Sequence, residues 1–303
     1  MSGSSRPERP TSAGVIPVNE TTDRVVATDE ATAVPTARTP KAKRKAVVTG
    51  RKDYSGRQRV VIGTLSVLTL FVVWESVTRI FDVPQLFLPK LSDIFAALLT
   101  THRSGVLVEN TLISVNLFVW SMLLSFAIAI PLGLVVGAVD WLNRTFTTWF
   151  WAVYTAPRIV FIPLVLLWAG ISTTAKVVII VISAVPPTTV VIIEGVKTVE
   201  GSLLRVARSY GASRRQTLRL VVFPATLPFI GTGVRMGVSR GLVGLFGAEL
   251  FTAHSGLGYL LLDAGKRYNT PLVFGILGVY LLLCMTAIAG STSLEKRLSR
   301  WRE

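Results

Sequence analysis

Cysteine and histidine are scarce in this chain, which has one cysteine and two histidines among 303 residues. A single cysteine can form neither a disulfide framework nor a thiolate metal site within the chain. Cys284 lies in an apolar run, where we interpret it as a small hydrophobic side chain. His102 and His254 have no carboxylate cluster at ligand spacing beside them. We therefore expect no catalytic, cofactor-binding or metal-binding residue in this chain.

Charged residues are also few, at 16%, whereas 50% of the residues are hydrophobic and the mean hydropathy is +0.56. A soluble domain needs a more polar surface, so this composition predicts a membrane protein. A formal net charge of +15 would suggest nucleic-acid binding in a soluble protein. Here the basic residues lie in a tail and in short loops between apolar runs, which is the positive-inside distribution. We expect no nucleic-acid partner.

Residues 1–58 lack apolar periodicity and are rich in Ser, Thr, Pro, Ala and charged residues. Such a segment cannot bury enough surface to offset the entropy of ordering, and we expect a disordered cytosolic tail. Its basic end is typical of a cluster that sets membrane topology and contacts anionic lipid; a specific partner site is the alternative. The first apolar stretch begins behind this tail, unlike a signal peptide, so we expect the protein's own helices to insert it.

Apolar runs dominate residues 59–303, and each is long enough for the roughly 20 residues that a bilayer core requires. The six runs are residues 60–80, 109–139, 147–169, 176–194, 224–251 and 271–290. They predict an all-α membrane protein with six transmembrane helices. Basic residues concentrate in the tail, after the second and fourth runs, and at the C-terminal end. Both termini of this multi-pass protein are therefore predicted to lie on the cytosolic side of a bacterial plasma membrane.

Prolines in the second, third and fourth runs predict kinks. Broken backbone at membrane depth is tolerated only inside the protein or along a wet cavity. The prolines therefore indicate either helix packing or a translocation pathway. They are Pro131, Pro157, Pro163, Pro186 and Pro187.

The segment that connects the fourth and fifth runs, residues 195–224, is here called the basic loop. It reads GVKTVEGSLLRVARSYGASRRQTLRLVVFP. Leucine, valine and alanine at positions 203, 204, 206 and 207 give an apolar face, which Gly211 interrupts. The pattern predicts two short amphipathic helices hinged at Gly211 and parallel to the membrane. Such helices either lie on lipid headgroups or dock on a soluble partner.

The basic loop resembles the cytosolic Glu-Ala-Ala motif by which ABC importer permeases dock on their ATPase. Ala207, Gly211 and Pro224 match the motif in type and spacing, whereas Arg205 stands where the motif has an acidic residue. The resemblance implies a type I importer permease fold with cytosolic coupling helices. It also implies the residues that couple to the ATPase, which are Arg205, Val206, Ala207, Gly211, Ala212, Ser213 and Arg214.

The similarity extends over residues 60–301 and is closer to the permeases for nitrate and for sulfonates such as taurine. The stretches that carry it include LWAG at 167–170, FPATLP at 223–228, AEL at 248–250 and GLGYL at 256–260. The family implies alternating access between two permease subunits, either two copies of this chain or this chain and a relative. It also implies an extracytoplasmic solute-binding protein and two ATPase subunits that bind the ATP and Mg²⁺.

No G-x-x-x-x-G-K-[ST] sequence occurs in the chain, so ATP must be hydrolysed by another polypeptide. A membrane enzyme, or a scaffold or channel without an ATPase, is the alternative. Such a protein would not copurify with an ATPase.

The fifth run contains glycines at every fourth position, 233, 237 and 241, a pattern that lets membrane helices approach closely. On an ideal helix, Arg235 and Glu249 lie within about 40° of each other, whereas Arg240 lies near the glycines and should face a neighbouring helix. Charges within a membrane are costly, so each should be paired or hydrated. They either pair structurally or line a path for an anionic solute, and Arg235, Ser239, Arg240 and Glu249 are the candidate pathway residues.

Overall fold

The computed structural model describes residues 56–252 and 254–299. No β-strand occurs in these ranges, so the predicted all-α class is confirmed. The α-helices are α1 Gly56–Ile80, α2 Leu91–Arg103, α3 Val106–Ala138, α4 Asp140–Thr155, α5 Phe161–Ala169, α6 Thr173–Lys197, α7 Gly201–Ser209, α8 Arg214–Thr217, α9 Phe223–Thr252, α10 Leu257–Lys266 and α11 Thr270–Ser299. Residues 1–55 of the predicted tail lie outside the described residues. Because α1 begins at Gly56, the predicted boundary at residue 58 falls within its first turn.

Five helical segments of the described chain are long and apolar enough to cross a membrane: Val61–Ile80, Val106–Ala138, Thr173–Lys197, Arg214–Thr252 and Thr270–Ser299. The prediction of a single helix over the third run, 147–169, is wrong. α4 ends at Thr155, a 3₁₀ turn covers Arg158–Val160, and α5 follows. Pro157 explains the break, since a proline disfavours helical backbone in the preceding residue, and Ala156 is extended with ψ 138°.

Two helices, α2 and α10, lie between the apolar runs and are not predicted by them. Both are too short to span a bilayer, and for this reason hydropathy does not reveal them. Glu75 of α1 ties α2 in place, because its carboxylate accepts a hydrogen bond from the Leu91 backbone N–H at 2.7 Å. The same carboxylate pairs with Arg79 one turn further along α1, at 2.6 Å.

The core of the bundle forms where α6 packs against α3 and α9. The predicted close approach along the glycines of α9 is confirmed. A Cβ added to Gly233 would lie 3.2 Å from the Thr188 carbonyl oxygen of α6, and one added to Gly237 would clash with the Thr188 hydroxyl. Thr188 of α6 donates a hydrogen bond across the contact to the Gly233 carbonyl at 3.2 Å. Pro186 and Pro187 remain inside α6 and are buried, which favours the packing interpretation for this pair.

Candidate coupling surface and translocation pathway

The basic loop folds as the sequence predicts, into two short helices separated by a glycine. Gly211 has φ +71°, the left-handed conformation that ends many helices. Its N–H donates to the Arg208 carbonyl at 2.9 Å, and the Ala212 N–H donates to the Ala207 carbonyl at 3.0 Å. These bonds satisfy the carbonyls of Ala207 and Arg208 in the last turn of α7. The arrangement fixes the angle between α7 and α8 at one residue.

Ser213 starts α8 through a capping box, in which the Gln216 N–H donates to Ser213 Oγ at 3.3 Å and the Ser213 N–H donates to Gln216 Oε1 at 2.8 Å. α8 continues through a π-helical turn, Leu218–Val222, in which the Phe223 N–H reaches back to the Leu218 carbonyl. The next residue, Pro224, has no N–H to donate. The loop is thus joined to α9 without a break in the helical backbone.

α7 presents two different faces. Leu203, Val206 and Tyr210 are exposed and recur at helical spacing on one face, which is here called the docking face. Leu204 and Arg208 lie on the opposite face and line a cavity beneath the helix. Exposed apolar residues that cluster on a short basic helix are typical of a surface that binds either a protein partner or a membrane.

The predicted coupling residues are divided between exposed and partly buried positions. Arg205, Val206, Gly211 and Arg214 are exposed, and so is the cap residue Ser213. Ala207 and Ala212 are half-buried. Their coupling role remains a prediction.

The candidate pathway residues of α9 do not share one surface. Arg235 pairs with Glu295 of α11 at 2.7 Å, and the Thr232 hydroxyl donates to the same carboxylate at 2.7 Å. Glu249 is fully buried. Arg235 and Glu249 lie about 21 Å apart along α9, and their partners belong to different elements, so they do not form one continuous site. A helical wheel gives their common direction but contains no information about these neighbours.

Glu249 belongs to a buried polar cluster at the end of the bundle opposite the basic loop. Its carboxylate accepts hydrogen bonds from the Ser114 hydroxyl at 2.5 Å and from the Gly258 N–H at 2.9 Å. Ser114 in turn accepts from the Leu257 N–H at 2.8 Å. Asn110 accepts from the Gly256 N–H at 2.9 Å, and Gly256 has φ +102°. The cluster fixes the turn that leads into α10.

Lys176 of α6 completes the buried polar cluster. Its ammonium group donates to the Ser255 carbonyl at 3.0 Å and to the Ser255 hydroxyl at 3.3 Å, and the residue is buried. Three helices, α3, α6 and α9, thus hold the segment between α9 and α10. For Glu249, these contacts favour the structural interpretation over a place in the pathway.

Arg240 and Ser239 are exposed. The prediction that Arg240 faces a neighbouring helix is wrong for the described chain, because close approach is confined to a narrow line of glycines and Arg240 lies at its edge. Arg240 has no hydrogen-bond or ion-pair partner among the described residues. It lies about 25 Å from Phe223 and about 18 Å from Thr252 along α9, near the middle of the span.

Four residues of the buried polar cluster were not predicted from the sequence: Asn110, Ser114, Lys176 and Ser255. Asn110 and Ser114 did give a signal, since two polar residues four positions apart on an apolar helix share one face. Lys176 gave a weaker signal, because it is a single cation at the start of a span. Their partner at position 249 could not be identified without the packing of the helices.

Comparison with known proteins identifies the family of the chain. Residues 129–300, more than half of the chain, match the binding-protein-dependent transport system inner membrane component family. The taurine transport system permease protein TauC of Escherichia coli (strain K12) is 30% identical over 245 residues, which cover 79% of this chain and 88% of TauC. The putative aliphatic sulfonates transport permease protein SsuC of the same organism is 30% identical over 236 residues, covering 77% and 88%.

Relatives named for a different solute also occur. The riboflavin transport system permease protein RibX of Chloroflexus aurantiacus is 27% identical over 237 residues, covering 78% of this chain and 88% of RibX. Among solved structures, an inward-facing MetNI methionine ABC transporter matches with a TM-score of 0.56 at 17% identity, covering 65% of this chain and 97% of the matched chain. This likeness supports the permease fold. The chain therefore belongs to the inner-membrane components of binding-protein-dependent transport systems, as a multi-pass permease subunit of an ABC transporter whose ATP is hydrolysed by a separate subunit.

Proposed function

We propose that this chain forms the translocation pathway of an importer for a small anionic solute, of which a sulfonate such as taurine is the first candidate. The names of TauC and SsuC support the solute class. Nitrate and related anions are further candidates. An extracytoplasmic binding protein delivers the solute, and the permease passes it to the cytosol.

The topology of the proposed importer places both termini in the cytosol. α4 and α5 together form the remaining crossing, since their 16 and 9 residues extend about 37 Å if stacked, more than the hydrocarbon core of about 30 Å. The basic loop then lies on the cytosolic side and the buried polar cluster on the extracytoplasmic side. The concentration of positive charge in the basic loop supports this orientation.

The docking face of α7 is the observation that supports binding of an ATPase to the basic loop. It presents Leu203, Val206 and Tyr210 to solvent beside a helix end fixed by Gly211. A rigid helix with an apolar face can enter a groove of a soluble partner and transmit its movement to α9 through the continuous helical junction. Two ATPase subunits, which bind ATP and Mg²⁺, would act on two permease subunits, either two copies of this chain or this chain and a relative.

Arg240 and Ser239 are the pathway residues that the geometry supports best. An unpaired guanidinium near the middle of a span needs an anion or water beside it. A second permease subunit against the exposed side of α9 would enclose this position between the two subunits. Arg240 then offers the passing solute a positive charge without a competing carboxylate.

The test is reconstitution of the permease with its ATPase and binding protein in sealed vesicles that contain ATP on the ATPase side. We expect uptake of radiolabelled taurine that requires ATP and the binding protein, and ATP hydrolysis that rises when loaded binding protein is added. Uptake of taurine without the ATPase would refute the importer. ATP-dependent uptake of riboflavin in preference to any anion would refute the solute class alone.

A further inference from the structure

A cavity of about 1090 Å³ lies between the basic loop and the ends of the spans that approach it. Its walls are the last turn of α3, the first turn of α4, the end of α6 and the inner face of α7 and α8. One acidic residue, Asp140, lines it. Its basic lining residues are Arg144, Lys197, Arg208, Arg214 and Arg215.

Most of these basic side chains form no ion pair with a residue that the structure describes. Lys197 pairs with Glu194 at 2.9 Å. None of the other four forms an ion pair with a described carboxylate, although Asp140 lines the same cavity. A concave site with this excess of positive charge attracts an anion strongly.

The position of the cavity relative to the membrane indicates that a lipid can supply the anion. The cavity opens at the ends of α3 and α6, which both cross the membrane, so it lies at the level of the lipid headgroups. Trp141, on its wall, is 65% exposed, and exposed tryptophan is enriched at this level.

An apolar stripe leads from the cavity along α3 towards the middle of the membrane. Its exposed members are Trp120, Leu124, Ile128, Pro131 and Val135, at helical spacing, and Val135 also lines the cavity. The stripe is about 22 Å long, compared with roughly 15 Å for the hydrocarbon of one leaflet. A molecule with an anionic head and long acyl chains would place its head in the basic cavity and its chains along the apolar stripe.

The cavity is separate from the docking face, because Leu204 and Arg208 point into it from the side of α7 opposite to Val206. We propose that this cavity binds the headgroup of an anionic phospholipid, whose acyl chains lie along the α3 stripe. The lipid bridges the ends of α3 and α4 to the coupling helices, and so positions the basic loop for the ATPase. The proposal rests on the proposed function for the cytosolic location of the basic loop and for the docking of the ATPase on it.

The experiment measures phosphatidylglycerol bound to the full-length permease, copurified with its ATPase, by native mass spectrometry. The cavity variant is Arg144→Gln with Arg208→Gln. Its matched control is Lys296→Gln with Arg297→Gln, which removes two exposed basic residues of α11 that do not line the cavity. The cavity variant should need about 30-fold more phosphatidylglycerol for equal occupancy, because each basic residue near an anionic surface contributes about 1 kcal/mol. The control should match the wild type.

Binding of phosphatidylcholine, binding of free glycerol phosphate and retention of the ATPase are measured as well. Phosphatidylcholine and free glycerol phosphate should both fail to replace phosphatidylglycerol; equal binding of glycerol phosphate would show an anion site without a lipid. Equal phosphatidylglycerol occupancy in the cavity variant and the wild type would overturn the proposal. Loss of the ATPase with retention of the lipid would also overturn it, since the cavity would then be part of the protein interface.

If the double variant fails to fold, Arg144→Gln alone provides the test, because Arg144 is exposed at the surface of α4. We expect its requirement for phosphatidylglycerol to rise about fivefold. Transport driven by the ATPase is measured in parallel in phosphatidylcholine vesicles. If phosphatidylglycerol binding is unaltered in the variant while the permease still transports in phosphatidylcholine vesicles, the lipid site is refuted and the proposed function stands. Loss of transport with every lipid would instead contradict the proposed function.

Discussion

The two ends of the helix bundle use polar and apolar residues in opposite ways. At the end near α10, Glu249 and Lys176 are buried, and hydrogen bonds from three helices fix one turn. At the other end, the basic loop leaves Leu203, Val206 and Tyr210 exposed and depends on one glycine for its shape. Buried polar groups must be satisfied within the protein, whereas an exposed apolar face needs a partner. The comparison predicts that mutations at the loop affect coupling and mutations at the cluster affect stability.

The largest effect should follow from Gly211→Val. Gly211 has φ +71°, a conformation that costs an L-residue about 1–2 kcal/mol and a β-branched one more, so α7 would turn away from its present direction. No atom lies within 4 Å of an added Cβ, so the effect would not come from a clash. We expect transport and solute-stimulated ATP hydrolysis in vesicles to fall to background with the protein still in the membrane.

Gly278→Val is the matched control for this variant. Gly278 also has nothing within 4 Å of an added Cβ, but it lies inside α11 without a positive φ. Transport by this control should remain close to that of the wild type. Normal solute-stimulated hydrolysis in Gly211→Val would remove Gly211 as the residue that sets the coupling geometry.

Arg240→Gln should have the next largest effect, on uptake. Loss of one charged hydrogen bond to a passing anion, about 1.5 kcal/mol, predicts an uptake rate about tenfold lower with ATPase assembly intact. Arg235→Gln removes the same charge from the same helix but breaks the pair with Glu295 instead, so it should lower thermal stability more than uptake. The reverse result, with uptake lost only in Arg235→Gln, would move the pathway to the other side of α9.

Glu249→Ala tests the buried end of the bundle. It leaves the Ser114 hydroxyl and the Gly258 N–H without their acceptor in a buried site, which should lower the free energy of unfolding by about 3 kcal/mol. Glu249→Gln retains one acceptor oxygen and should cost less. Thermal unfolding of the purified protein measures both. A Glu249→Ala variant of normal stability that fails to transport would restore Glu249 to the pathway.

The smallest effect should come from Glu194→Ala, which breaks an ion pair of exposed residues at the end of α6. Glu194 and Lys197 are 2.9 Å apart, but both side chains are substantially exposed. Exposed pairs contribute about 0–1 kcal/mol, so the thermal unfolding temperature should change little. The same measurement thus calibrates the effect of Glu249→Ala.

Much of this architecture could be predicted from the sequence. Apolar run lengths located five spans, and Gly211 located the joint between α7 and α8, because both depend on local physical chemistry. The glycines at 233, 237 and 241 also correctly predicted the line along which α9 packs closely against its neighbours. The break at Pro157 was visible as a proline, but hydropathy alone did not separate α4 from α5.

The contacts of the charged residues could not be predicted in the same way. Arg235 reaches Glu295, sixty positions away in the sequence, and Glu249 reaches Ser114 on another helix. A helical wheel gives the direction of a side chain but not the identity of the neighbouring helix in that direction. α10 was missed because it is too short for hydropathy to reveal, and its position depends on long-range hydrogen bonds to Asn110, Ser114 and Glu249.

The binding of the ATPase to the docking face can be tested by copurification of the ATPase with the Val206→Asp variant. Val206 is 54% exposed on the docking face, and a carboxylate there would have to be desolvated on binding. Leu294→Asp, at a 44% exposed leucine near the end of α11, is the matched control. The account predicts that Val206→Asp reaches the membrane in normal amounts and loses the ATPase, whereas the control retains it. Equal recovery of the ATPase with both variants would contradict the assignment of the docking face.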